Sequence, residues 1–418
     1  MSFNMNTQAN NNNNIKFNTD NFILNTYKRH NIAFEYGDGV YLFDFNKNKF
    51  LDFVSGIAVN SLGYNHLKLI NKTTDQLKKL IHTSNLYYSQ PQSVVAKKLI
   101  ENSHFNKVFF SNSGTESVET ALKIAKKYAN ILNQKNSIKR NKIIAFKNSF
   151  HGRTLGSLSA TGQKKYQDSF LPLLDNFEFA IYNDLDSVIN LSYSKNNKNE
   201  IDTCAIILEL IQGEGGVLIS DIEFIQKLEQ FCKDNDILLI IDEVQTGIGR
   251  TGKLFAFEHF AIKPDIVSLA KGLGAGFPIG ATLVSKKASD ILSFGDHAST
   301  FGGNLISMTA ASVVLEELLD NNLLAHISKI GSYFKENLLN LKDKYPDKIK
   351  EIRSLGLMTG IELYDSIKAS DIVNLCEKNG LLVITAGVNT LRFLPPLIIN
   401  KTHIDLALDI LTKIFQNL

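Results

Sequence analysis

The chain has 418 residues, 44% hydrophobic and 21% charged, which suits two or three folded domains and excludes a disordered protein. Its 45 Lys+Arg nearly balance 42 Asp+Glu, so charge gives no reason to expect nucleic acid as a partner, and no apolar run reaches the roughly 20 residues of a membrane span. Cys204, Cys232 and Cys376 are scattered with no CxxC pair, and the nine histidines show no HExxH spacing; a disulfide framework is excluded, no structural zinc site is expected, and a reducing, cytoplasmic setting is expected.

Residues 1–18 are polar, with five consecutive asparagines at 10–14, and cannot bury enough apolar surface to order themselves, so a disordered tail is expected. Without an Arg or an apolar core, the tail carries no convincing transit or signal pattern. Val40-Tyr41-Leu42-Phe43-Asp44, a polar turn and Phe50-Leu51-Asp52-Phe53 predict a small hairpin. Strand-length apolar runs then alternate with helical stretches: Val108-Phe109-Phe110, Ile143-Ile144-Ala145-Phe146, Ala205-Ile206-Ile207-Leu208, residues 237–241, Ile266-Val267 and Ala281-Thr282-Leu283-Val284. Such runs predict an α/β fold with a mostly parallel sheet covered on both faces and ligands beyond the carboxyl ends of its strands. From about Leu305 a long helical stretch, the run at residues 356–363, more helix and the run at residues 391–396 predict a separate, smaller α+β domain. The expected division is a tail (1–18), an N-terminal part of the small domain (19–75), a large domain (76–304) and the C-terminal part of the small domain (305–418).

Four strand ends carry polar residues that each admit a structural and a chemical reading. Ser111-Asn112-Ser113-Gly114-Thr115-Glu116-Ser117 opens a helix. Its free N–H groups and dipole make a phosphate cup, although plain N-capping uses the same residues. Asp242-Glu243 ends a fully apolar strand, where a carboxylate needs a partner: a cap, an ion pair, or a cationic ligand atom. Lys271 ends another apolar run and enters Gly272-Leu273-Gly274-Ala275-Gly276. A desolvated lysine there becomes a nucleophilic amine, against the alternative of a lysine that snorkels to water. Ser149-Phe150-His151-Gly152-Arg153-Thr154 offers an aromatic plane beside a cation, or a core Phe beside a surface ion pair. Together these are the parts pyridoxal phosphate needs: a phosphate cup, an aromatic face, an acid for the ring nitrogen and a lysine for the aldehyde.

A competing motif, Gly247-Ile248-Gly249-Arg250-Thr251-Gly252-Lys253, matches the start of a P-loop. It places Leu254 where a Ser or Thr must hold Mg²⁺, and no helix pattern follows.

From about Asn25 to Leu418 the sequence resembles the class III, fold-type I aminotransferases, specifically the acetylornithine aminotransferase family. The resemblance rests on Gly56-Ile57-Ala58-Val59, Asn112-Ser113-Gly114-Thr115-Glu116, Phe150-His151-Gly152-Arg153, Gln212-Gly213-Glu214-Gly215-Gly216, Asp242-Glu243-Val244-Gln245, Ala270-Lys271, Ser299-Thr300-Phe301-Gly302-Gly303-Asn304 and Leu391-Arg392-Phe393. It implies that Lys271 joins the cofactor's aldehyde and Asp242 pairs with its ring nitrogen. Gly114 and Thr115, with Ser113 beside them, would hold the phosphate. Phe150 and Val244 would flank the ring, and Gln245 would reach the ring hydroxyl. Arg153, with Ser299 nearby, would bind the donor's carboxylate. Arg392 would pair with Glu209 until it is freed to clamp the α-carboxylate of 2-oxoglutarate. Thr300 would reach the phosphate of the neighbouring subunit's cofactor, making a homodimer with shared active sites.

The resemblance further implies transamination of N²-acetyl-L-ornithine with 2-oxoglutarate, in arginine biosynthesis. Ile57 stands where ornithine aminotransferases place a Tyr that meets a free α-amine; an apolar residue suits an acylated donor. Succinylornithine, N-succinyl-diaminopimelate, ornithine and 4-aminobutyrate stay open as alternative donors. The sequence departs from the family pattern at Tyr64 and Leu67, in place of His and Pro, and at Leu210, in place of Pro.

Overall fold

The hairpin expected after Gly39 is present in the computed structural model, which describes residues 5–135, 139–195 and 200–418. Strands β1 (Phe34–Asp38), β2 (Tyr41–Asp44) and β3 (Lys49–Asp52) pair antiparallel in sequence. The apolar runs then form β4 (Lys107–Ser111), β5 (Lys142–Phe146), β6 (Phe177–Ala180), β7 (Thr203–Leu208) and, after a ribbon of β8 (Ile211–Gln212) and β9 (Leu218–Ile219), β10 (Leu238–Asp242), β11 (Ile266–Leu269) and β12 (Gly280–Val284). They assemble into one seven-stranded sheet in the order β4-β12-β11-β10-β7-β5-β6. Every strand is parallel to the rest except β12, which is antiparallel to both neighbours. β6 escaped the sequence reading because Phe-Glu-Phe-Ala is a half-exposed edge strand, not a continuous apolar run.

Alternation along the strands explains the two covered faces. Ile143, Ala145, Ala205, Ile207, Leu238 and Ile240 pack with Val118, Ala121, Leu122 and Ala125 of the helix Gly114–Lys135. Their sequence neighbours Ile144, Ile206, Leu208, Leu239 and Ile241 face the opposite core with Phe224 and Leu228 of the helix Ile222–Asp234. Each such fully buried Val, Leu or Ile side chain contributes about 1.5–3 kcal/mol.

The helices Leu305–Leu319 and Leu323–Lys344 lead to a second antiparallel sheet. There β13 (Ile349–Leu355), β14 (Met358–Leu363), β15 (Leu381–Leu382), β16 (Ile384–Ala386) and β17 (Thr390–Phe393) follow in sequence, and the sheet order is β13-β14-β17-β16. β15 leaves that sheet to pair in parallel with β3. The smaller α+β part is therefore assembled from both ends of the chain around the large α/β layer. Among the described residues no helix is long and apolar enough to cross a membrane.

The amino-terminal stretch differs from the disordered tail expected over 1–18. Residues 1–4 lie outside the described residues, and the backbone from there forms a helix, Met5–Phe22. From Asn14 to Phe22 almost every side chain is exposed.

Candidate active site

Because β4, β5, β7, β10 and β11 run in one direction, their carboxyl ends open on one side of the sheet, where a cavity of about 610 Å³ lies. Each of those ends contributes to its lining, as do Pro278 and Ile279 just before the reversed strand β12.

After β4, Ser113 Oγ accepts the Glu116 N–H at 3.3 Å, and the Glu116 carboxylate accepts the Asn112 N–H at 2.5 Å. The helix beginning at Gly114 leaves the Gly114 and Thr115 N–H groups without an acceptor among the described residues, at the positive end of a 22-residue helix. A side chain at Gly114 would place its Cβ 2.6 Å from Val244 Cγ1, so only glycine lets the helix start lie against Val244. Thr115 Oγ1 bonds Thr154 Oγ1 (2.9 Å) and Ser157 Oγ (2.6 Å), closing the cup on its other side.

After β5, Phe150 and Arg153 stand beside Tyr166. The Arg153 guanidinium lies 3.9 Å over the Tyr166 ring and 5.6 Å from the Phe150 ring centre. It has no carboxylate partner among the described residues. Asp242, at the end of β10, is 5% exposed; its Oδ2 lies 2.8 Å from His151 Nδ1, and its Oδ1 accepts the Val244 N–H at 3.0 Å. The other ring nitrogen of His151 is buried without a partner among the described residues. The sequence assigns His151 no role beyond its motif, since nothing local tells a carboxylate-holding histidine from a core one.

Lys271, just after β11, has φ +43°, in the left-handed region, and lines the cavity. Among the described residues its amine has no hydrogen-bond or ion-pair partner. Burial, and then the charge of Arg392, lower its pKa to about 8; Asp242, Glu214 and Glu209 pull in the opposite direction.

One expected pairing is corrected. Arg392 does not pair with Glu209: its Nη2 lies 2.7 Å from Glu214 Oε1, and its Nη1 donates to Gln245 Oε1 at 3.3 Å. Glu209, at the end of β7, turns both oxygens to backbone donors, Phe150 N (2.9 Å) and Gly213 N (3.2 Å). Its lone pairs are spent on the neighbouring loops, and burial pushes its pKa up to about 7. Glu214, on the glycine-rich turn five residues later, has the reach to meet β17.

The structure does not bring every expected residue into the cavity of its own chain. Arg392 is buried behind Glu214 and Gln245, which line it. Ser299 Oγ accepts from Asn112 Nδ2 at 3.1 Å and so meets the rim, while Thr300 is exposed. Ile57 is 43% exposed on a turn in which Ser55, Gly56, Ile57 and Ala58 all have positive φ, whereas Val59 lines the cavity. Such a left-handed turn costs roughly 1–2 kcal/mol for each non-glycine residue, so the surrounding structure must hold it.

The P-loop-like segment is no phosphate loop. Arg250 is 2% exposed and donates to Leu357 O (3.1 Å) and Pro395 O (2.6 Å), joining the large layer to the C-terminal sheet. Only a single 3₁₀ turn, Ala256–His259, follows it.

The lining fits pyridoxal phosphate. A free N–H cup, Phe150 and Val244 both lining the cavity, a buried carboxylate held by a histidine and an amine without a partner among the described residues match its phosphate, ring, ring nitrogen and aldehyde in chemistry.

Comparison with known proteins agrees. The family model described as "Aminotransferase class-III" matches residues 23–415. An acetylornithine aminotransferase of Caldanaerobacter subterraneus is 46% identical over 397 residues, covering 95% of this chain and 98% of that protein. That of Aquifex aeolicus is 47% identical, covering 94% and 99%. Among solved structures, the ornithine aminotransferase of Toxoplasma gondii superposes with a TM-score of 0.91 at 28% identity, covering 100% of this chain and 99% of that one. The N-acetylornithine aminotransferase of Stenotrophomonas maltophilia gives 0.79 at 32% identity, covering 94% and 98%.

Proposed function

The chain belongs to the class-III aminotransferase family, and from that premise we propose that it transfers the terminal amino group of N²-acetyl-L-ornithine to 2-oxoglutarate, giving N-acetyl-L-glutamate 5-semialdehyde and L-glutamate in arginine biosynthesis. The observation that carries this reading is a partnerless Lys271 amine in one cavity with the His151-held Asp242 and the carboxylate-free Arg153, with Arg392 just behind.

Pyridoxal phosphate, when bound, supplies an aldehyde that captures amines and a protonated ring that draws electrons from the substrate carbon. Ser113, Gly114 and Thr115 would hold its phosphate, Phe150 and Val244 would flank its ring, Gln245 would meet the ring hydroxyl, and Asp242 would keep the ring nitrogen protonated. Lys271 Nζ anchors it and then, once neutral, takes the proton from the donor's amine-bearing carbon and returns it as the general acid. Arg153, beside Ser299, binds the carboxylate of the acylated donor, and Ile57 provides an apolar neighbour for its capped α-amine. Arg392 stays neutralised by Glu214 while a donor without a second free carboxylate is bound, and leaves it for the α-carboxylate of 2-oxoglutarate. Glu209 serves as a buried acceptor that fixes the Phe150 and Gly213 backbones.

A homodimer completes the reading, with Thr300 of one subunit reaching the cofactor phosphate held by the other, in the cytoplasm. The domain limits 19–75, 76–304 and 305–418 belong to the same proposal. Sedimentation of the purified protein at twice the chain mass is the expected result.

A second reading, ornithine as donor, is favoured by the higher TM-score with the Toxoplasma gondii enzyme. A backbone superposition does not weigh the side chain at Ile57, which disfavours a free ammonium. A donor panel at fixed 2-oxoglutarate decides: kcat/KM is expected to be highest for N-acetylornithine, and a preference for ornithine or 4-aminobutyrate overturns the assignment.

A further inference from the structure

The turn that displays Ile57 raises the question of what holds it. Ser55, Gly56, Ile57 and Ala58 have φ of +47°, +64°, +65° and +64°, a left-handed turn closed by Ala58 N to Val54 O (3.0 Å) and Val59 N to Ser55 O (2.8 Å). Three of the four are not glycine, and one is β-branched, so the turn does not form by local preference.

Directly beneath it lies Asp52, 1% exposed. Its Oδ1 accepts the N–H groups of Val54 (2.8 Å) and Ser55 (2.9 Å), the residues that enter the turn. Its Oδ2 accepts the Tyr64 phenol at 2.6 Å. Tyr64 is one of this chain's departures from the family pattern, and its ring is accommodated only because residue 37 is glycine: a Cβ there would lie 2.4 Å from Tyr64 Cγ. The turn is also tied to the two elements that carry the reactive groups. Ser55 Oγ donates to Leu394 O (2.5 Å), two residues beyond Arg392, and Ser61 Oγ donates to Gly272 O (2.7 Å), the residue after Lys271.

We propose that Asp52, steadied by Tyr64, is a positioning residue for donor selection: it holds the left-handed turn that carries Ile57 and delivers Val59, directly after it, to the cavity wall. It touches no reacting atom. This inference rests on the proposed function for the identity of the donors, but not for the state of the turn.

The experiment uses the holoenzyme of wild type, Asp52→Ala, Asp52→Asn and Tyr64→Phe. The readouts are kcat/KM for N-acetylornithine and for ornithine, and backbone hydrogen exchange across residues 54–59. Asp52→Ala is expected to lower the acetylornithine-to-ornithine preference about tenfold and Tyr64→Phe about threefold, as the loss of hydrogen bonds to a buried carboxylate predicts. Asp52→Asn keeps the oxygen that accepts both backbone N–H groups and is expected to restore the preference and the exchange protection. An unchanged preference together with unchanged exchange in Asp52→Ala overturns the proposal. So does an equal loss for both donors, which a general weakening of the fold would give. Should Asp52→Ala fail to fold, Tyr64→Phe decides by the same two readouts. A wild type inactive on both donors overturns the functional reading; faster exchange in the variants would still uphold the hold on the turn.

Discussion

His151 Nδ1 lies 2.8 Å from Asp242 Oδ2, and both side chains are closed to solvent, so the carboxylate that ends β10 is oriented by an imidazole whose other nitrogen has no partner. An anion so held cannot turn away from the cavity. Asp242→Asn removes the charge without changing shape and is expected to lower kcat by about 10²–10³-fold. His151→Leu removes the hydrogen bond to Asp242 while leaving its charge, which predicts a loss of roughly ten- to a hundredfold. Steady-state rates at saturating substrate, with cofactor content checked by absorbance, test both; equal losses would mean that His151 does more than orient.

Lys271 has a folded-state pKa near 8, below its ordinary 10.5, so only above pH 8 is most of the amine neutral. Capture of pyridoxal phosphate by the apo protein is expected to quicken about tenfold per pH unit below 8 and to level off above it. The stability sign follows. Between about 8 and 10.5 the unfolded chain carries a proton on this amine that the folded chain lacks, so apo stability gains from Lys271 as pH rises through that window. Lys271→Met should remove that contribution, visible as a flatter thermal midpoint across pH 8–10.5, and Lys271→Ala should abolish turnover in a folded protein. Turnover in the alanine variant would refute the assignment of the amine.

Arg392 and Glu214 are 178 positions apart in sequence and 2.7 Å apart in space. If Glu214 neutralises Arg392 during the donor half-reaction, Glu214→Gln leaves a buried cation facing the donor. The KM for N-acetylornithine is then expected to rise by about tenfold while that for 2-oxoglutarate stays or falls. Arg392→Ala should raise the KM for 2-oxoglutarate by roughly ten- to a hundredfold and spare the donor half-reaction. Single-turnover measurements of each half-reaction separate the two. Glu209→Gln, which touches no arginine, should not reproduce this split.

Gly114→Ala puts a methyl group 2.6 Å from Val244 Cγ1, a clash between a helix start and a side chain just beyond the end of β10. Overpacking of this kind costs about 1–3 kcal/mol. The expected result is a lower thermal midpoint and a weaker hold on pyridoxal phosphate together, read by calorimetry and by cofactor titration. Retention of both would show that the helix start can shift without harm.

Six of the seven strands of the large sheet, and the polar residues that end them, are legible in the sequence. Continuous apolar runs can only be buried on both faces, and Asp242 or Lys271 at the end of such a run stands out because an unpaired charge there is costly. Together with the motifs of a family, that was enough to assemble a site from residues between 113 and 271. Tertiary structure alone decided which carboxylate meets Arg392, that a histidine holds Asp242, that Arg250 is a seam and not a phosphate loop, and that four residues near position 57 turn left-handed. Those outcomes depend on side-chain reach and on hydrogen-bond donors supplied by distant strands, quantities that no local pattern encodes.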